Sequence, residues 1–97
     1  MNTTNMITAS AHCLLRLQER SIPDSYMDMV LCYGSRHFVP KARAYYMRWR
    51  DIPDWVPDGQ AHKLHGLVVI VSEDGLALTT YRNPHFLHQV RRRPRWA

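Results

Sequence analysis

The chain has 97 residues, 45% of them hydrophobic, and a formal net charge of +5 at pH 7. A length of this order holds one domain with a modest core, and no apolar run approaches the roughly 20 residues that a membrane-crossing helix needs. The opening Met1-Asn2-Thr3-Thr4-Asn5 has no basic region followed by an apolar stretch, and the two cysteines, Cys13 and Cys32, form no CxxC pair, so the chain reads as a cytoplasmic protein with reduced thiols.

Thr8 or Ser10 caps a first predicted helix that runs to about Arg20 and breaks at Ser21-Ile22-Pro23-Asp24. On that helix His12, Arg16 and Arg20 stand at i, i+4 and i+8 and line one edge, with Glu19 beside them. Leu14, Leu15 and Leu17 fall mostly away from that edge, toward a core. A second helix opens at Asp24 or Ser25 and reaches Tyr33, where Gly34 stops it. Its Tyr26, Met27, Met29, Val30 and Tyr33 have helical spacing and read as core.

From Ala42 to Arg50 the period changes to two, with Arg43, Tyr45, Met47 and Trp49 on one face and Ala44, Tyr46, Arg48 and Arg50 on the other. Two prolines and Gly59 mark residues 51–61 as an irregular exposed loop. A strand from about Leu64 to Ser72 contains the run Leu67-Val68-Val69-Ile70-Val71, Glu73-Asp74-Gly75 turns the chain, and a strand follows from Leu76 to Arg82. Asn83 and Pro84 open a short final helix over residues 84–92, and residues 91–97 form a basic tail. The expected fold is α+β: two N-terminal helices packed on a small antiparallel β-meander, with a short C-terminal helix or basic tail, all in one domain spanning 1–97.

The charge is unevenly distributed. Residues 1–75 hold eight Lys/Arg and all eight Asp/Glu, whereas residues 76–97 hold Arg82, Arg91, Arg92, Arg93 and Arg95 with no acid. A localised positive excess is the electrostatic footprint of a nucleic-acid or other polyanion binder, although it also serves solubility alone. The His12/Arg16/Arg20 stripe pairs a titratable imidazole with fixed cations, which suits phosphodiester chemistry. Read alone, such a stripe is more often a solvated helix face.

The H-x-x-x-R-x-x-x-R pattern of His12, Arg16 and Arg20, followed by Ser21 and Ile22, the second helix ending in Gly34, and the late hairpin with Thr79, Thr80 and Tyr81 in its last strand resemble the small bacterial "domain of unknown function 4258" family. The likeness spans most of residues 8–82. Two departures stand out: the family's tight glycine after the second arginine is Ser21 here, and the Asp51–Gly59 loop looks like an insertion. That family is similar in layout to RelE-like toxin ribonucleases, and the resemblance implies metal-independent RNA cleavage.

Such cleavage needs a base for the 2′-hydroxyl, an acid for the leaving oxygen and cations for the phosphate. His12 suits the acid or base role, Arg16 and Arg82 the phosphate clamp, and Tyr81 base stacking or proton donation. Thr80 and Arg82 share one strand face, and Thr79 and Tyr81 the other. Arg20, Thr80, His88, Arg91, Arg92 and Arg93 are the candidate nucleic-acid contacts. His62/His65 and His85/His88 each have H-x-x-H spacing, but no cysteine or acidic ligand set accompanies them, so neither a metal nor any other cofactor is assigned. The expected partners are RNA or another polyanion, with a cognate antitoxin or a host protein complex, and no membrane. The alternative is a non-enzymatic phage or mobile-element inhibitor that binds a host complex through Trp49, Trp55 and the 51–61 loop.

Overall fold

The computed structural model describes residues 8–86. In chain order its elements are β1 (Thr8–Ala9), α1 (Ala11–Glu19), α2 (Asp24–Tyr33), β2 (Ser35–Val39), β3 (Ala42–Tyr46), a 3-10 turn (Trp49–Asp51), α3 (Asp58–Leu64), β4 (Leu67–Ser72) and β5 (Leu76–Arg82). The strands form one sheet in the order β1-β5-β4-β3-β2, antiparallel except for the parallel β1–β5 pair.

The architecture is α+β, but the sheet is larger than a three-stranded meander. The three expected strands are its centre, and each edge gains a strand. β2 alternates half-buried and exposed residues and turns into β3 through Pro40-Lys41. Lys41 takes φ 62, the sign that position i+2 of a type II turn requires, where glycine is the usual residue. That disguised turn hides the hairpin from a sequence reading. β1 is two residues long, too short for any period, and is held by backbone bonds from Thr8 N to Gly75 O (3.1 Å) and from Ser10 N to Ala77 O (2.9 Å).

The 51–61 segment is also more regular than expected. Arg48 N–H and its guanidinium both donate to Asp51 (3.1 and 3.0 Å), closing the 3-10 turn, and Ser35 Oγ donates to the same carboxylate (2.8 Å). Asp58 then opens α3, preceded by Pro57, which needs no donor there. Val56 and Leu64 are buried and Ile52 packs against them, so the segment covers core rather than projecting from it.

All three helices pack on one face of the sheet. Cys13, Leu17, Met27, Val30, Leu31 and Leu64 meet Tyr45, Met47, Leu67, Val69, Val71 and Ala77 there. Burying each of the larger aliphatic side chains contributes about 1.5–3 kcal/mol before entropy is counted. Leu14 and Leu15, expected to enter the core, stay exposed, as does Tyr33. The opposite face carries a smaller cluster of Ala44, Tyr46, Val68 and Phe86, with Ile70 and Tyr81 against it.

The expected Ser10 cap of α1 and the expected stops of α1 and α2 are present, and it is the Gly34 stop that works by chemistry other than that expected. Ser10 Oγ accepts from Cys13 N (3.0 Å) at the start of α1. At its end Ile22 N bonds Leu17 O (2.8 Å) and Ser21 N bonds Gln18 O (3.1 Å), a Schellman pair with Ser21 at φ 55. The non-glycine at this left-handed position carries strain. Gly34, by contrast, is extended at φ −68, and glycine is needed because a Cβ would lie 2.5 Å from Val30 O. Most of the expected final helix, with His88 and Arg91–Arg93, lies outside the described residues.

Candidate nucleic-acid interface

The end of α1, the C-terminus of α3 and the end of β5 meet around an open cleft of about 730 Å³. Arg20, Ser21, Ile22, Pro23 and Tyr26 line one wall, Lys63 and Leu67 another, and Tyr81 and Arg82 complete it. Arg20, Lys63 and Arg82 supply three cations, and among the described residues no carboxylate joins them.

Neutral acceptors hold the two arginines. Arg20 Nη1 donates to the Thr80 carbonyl (2.6 Å), tying the end of α1 to β5. The Arg82 guanidinium donates to the carbonyls of Lys63 and His65, and at 3.4 Å to that of His62. These carbonyls form the negative end of α3, where a cation is favoured and orphan acceptors need donors. Carbonyl bonds orient a guanidinium without cancelling its charge. Among the described residues, Arg20, Lys63 and Arg82 form no ion pair, whereas Arg16 pairs with Glu19 (2.6 Å) and Arg48 with Asp51 (3.0 Å).

Of the residues singled out in the sequence, Arg20, Tyr81 and Arg82 line the cleft, and His12 and Arg16 do not. His12 is exposed on α1 and accepts from Arg16 Nε (3.4 Å). Thr80 was a candidate contact, but its side chain is 0% exposed, with Oγ1 3.5 Å from Cys13 Sγ. It faces the helix layer as core, and only its carbonyl serves the cleft, through Arg20. Tyr81 packs against the small cluster on the other sheet face, and burial pushes its phenol pKa up, so it remains protonated across the neutral range.

The structure joins Trp49, which the sequence offers as a protein-binding residue, to the His62/His65 pair, a grouping that no sequence pattern announces. Trp49 stacks on His65, with centroids 4.4 Å apart and planes 13° apart, and meets the His62 ring at near right angles, 5.1 Å away. Burial lowers the His65 pKa, and the nearby positive charges of Arg82 and His62 lower it further, so the neutral imidazole is favoured. The Arg48-Trp49-Arg50 interleaving and the His62-Lys63-Leu64-His65 run were the available signals, but α3 is what turns them toward each other. Among the described residues no three or more His, Cys, Asp or Glu side chains stand together as a metal-ligand set, and no helix is long and apolar enough to cross a membrane.

Comparison of the chain with protein-family models, curated proteins and solved structures finds no match.

Proposed function

We propose that this chain is a small RNA-directed protein that grips the phosphodiester backbone in the cleft of Arg20, Lys63 and Arg82 and cleaves it without a metal, in the manner of RelE-like toxin ribonucleases. The observation that carries the reading is the convergence on one cleft of three cations that have no carboxylate counter-ion among the described residues. Guanidiniums already aimed by carbonyl bonds stabilise the extra charge on phosphate in the transition state without reorganising. The reading draws also on the likeness to the "domain of unknown function 4258" family, and it carries with it the proposal of a cytoplasmic location and of a cognate antitoxin or host complex as partner.

In this reading His65 takes the role first given to His12, because its neutral form is favoured and it neighbours Arg82. Neutral His65 accepts the 2′-hydroxyl proton, the 2′-oxygen bonds to phosphorus, and the bond to the 5′-oxygen breaks as a solvent water gives that oxygen a proton. The products are a 2′,3′-cyclic phosphate and a 5′-hydroxyl.

The test is incubation of total RNA with the protein in chelator. Wild type is expected to leave cyclic-phosphate ends, His65→Ala to lose about 100-fold in rate, and His12→Ala to stay within about threefold. Loss in His12→Ala alone would return the base to α1. With no cleavage by any form, the catalytic half of the reading falls. Binding is read separately: three phosphate contacts predict a log–log salt slope of about −2 on single strands.

A second reading, a non-enzymatic protein-binding role, is favoured by Trp55, 66% exposed and edge-on to exposed Tyr33 at 6.4 Å. Pull-down from RNase-treated lysate that captures a protein through wild type, but not through Trp55→Ser, would support it.

A further inference from the structure

Trp49 is needed neither to grip phosphate nor to move a proton, and its place against His62 and against His65, the base of the proposed cleavage, leaves it a separate task. We propose that Trp49, backed by His65 and flanked by His62, is a nucleobase-stacking platform that holds the unpaired base of a single-stranded RNA whose phosphate lies in the adjoining cleft. The inference rests on the reading of that cleft as a phosphate site.

Three observations carry it. The indole is 49% exposed although it is large and mostly apolar, and among the described residues it joins no core cluster. It is also held from two sides: the 3-10 turn that carries it is closed by Arg48 and Asp51, and the near-parallel imidazole of His65 backs the ring. Finally, platform and cleft share one stretch of backbone. Lys63 lines the cleft, its neighbours His62 and His65 touch the indole, and Arg82 grips the carbonyls of all three. A ligand with alternating anionic and flat aromatic parts matches this pair of surfaces, and single-stranded RNA has that construction. A membrane or a simple polyanion would use the cations and ignore the indole. Every base has a π-face, so the platform favours unpaired RNA over duplex without choosing a sequence.

The experiment compares two labelled oligomers of equal length and charge, a 2′-O-methyl oligoribonucleotide and its abasic counterpart, neither of which offers the nucleophilic hydroxyl. Binding to the full chain is followed by fluorescence anisotropy. Wild type is expected to prefer the base-bearing oligomer by at least about fivefold, the low end for one stacked base. Trp49→Ala should bring that ratio to about one and leave abasic affinity within about twofold, Trp49→Phe should keep part of the preference, and Lys63→Ala should weaken both oligomers equally. Circular dichroism of each variant checks that the fold is kept. Equal binding of the two oligomers by wild type overturns the platform while the phosphate cleft stands. Failure of both oligomers to bind overturns the cleft, and the platform with it. A folded Trp49→Ala protein that loses both oligomers alike also overturns the platform, because the indole then acts on the phosphate site rather than on the base.

Discussion

Arg16 and Arg20 stand one turn apart on the same edge of α1, yet they sit in opposite electrostatic situations. Arg16 is neutralised by Glu19 at 2.6 Å and also donates to His12, in the open part of the helix. Arg20 reaches Thr80 O at 2.6 Å and borders a cleft that also holds Lys63 and Arg82. Arg48 and Arg82 repeat the contrast on the other side, the first held by Asp51 and the second by the carbonyls that end α3. A carboxylate partner consumes a guanidinium's charge, whereas a carbonyl partner aims it. Counting arginines along a helix edge does not distinguish the two, and the difference decides which of them are left to meet an anion.

The largest effect should come from the cleft pair. Arg20→Ala combined with Arg82→Ala is expected to weaken single-stranded RNA binding about 100-fold and make the salt slope shallower by about 1.4, while Arg16→Ala changes affinity less than about twofold. Filter binding across a salt series measures both, and equal losses from Arg16→Ala and Arg20→Ala would break the comparison.

The junction that aims Arg20 can be tested through stability. Ser21→Gly removes a side chain at φ 55, so stability to urea should rise by about 0.5–1 kcal/mol with RNA affinity unchanged. A destabilised Ser21→Gly protein would mean that the serine side chain, rather than the Schellman backbone, holds the turn.

The neutralised pairs predict a different response, to acid. Burial alone would push the Asp51 carboxyl up, but hydrogen bonds from Arg48 and Ser35 outweigh it and leave the group below the ordinary aspartate value. A carboxyl with a lower pKa in the folded state stabilises the fold above its unfolded pKa, and that contribution is lost as pH falls through the folded value. Urea midpoints measured from pH 6 downward should therefore fall in the acid range, and Asp51→Asn should flatten that fall while lowering stability near neutrality. Glu19→Gln should do least: its ion pair with Arg16 is exposed, so stability is expected to move by less than about 0.5 kcal/mol. Because the freed Arg16 lies outside the cleft lining, RNA affinity should rise by no more than about twofold.

Several elements were legible because their signals are local. Caps and 3.6-residue spacing mark α1 and α2, and the continuous Leu67–Val71 run and the Asp74-Gly75 turn mark the β4–β5 hairpin. The site was only half legible. Arg20, Tyr81 and Arg82 carry signals in the sequence and line the cleft, but Lys63 carries none, and Trp49 and the His62/His65 pair read as unrelated features, a protein-binding residue and an H-x-x-H motif, because the 51–61 stretch between them looks irregular. Its helix is seven residues long and contains a glycine, too little for propensity to register. What stabilises it is the burial of Leu64 and the Arg82 bonds to its last carbonyls, both contributed by distant chain.

The amino-acid order by itself determined the α+β class, the two leading helices, the central hairpin and the bias of positive charge toward the C-terminal end, all of them set by neighbours within a few residues. Only the tertiary structure decided which cations are aimed. Helical spacing sets Glu19 facing Arg16 at i+3 and leaves Arg20 without an acid, but Arg20 is aimed only when β5 lies beside α1, brings the Thr80 carbonyl within 2.6 Å of it, and buries the Thr80 side chain against Cys13. Pairing across 60 residues of chain is a packing outcome, and no local pattern encodes it.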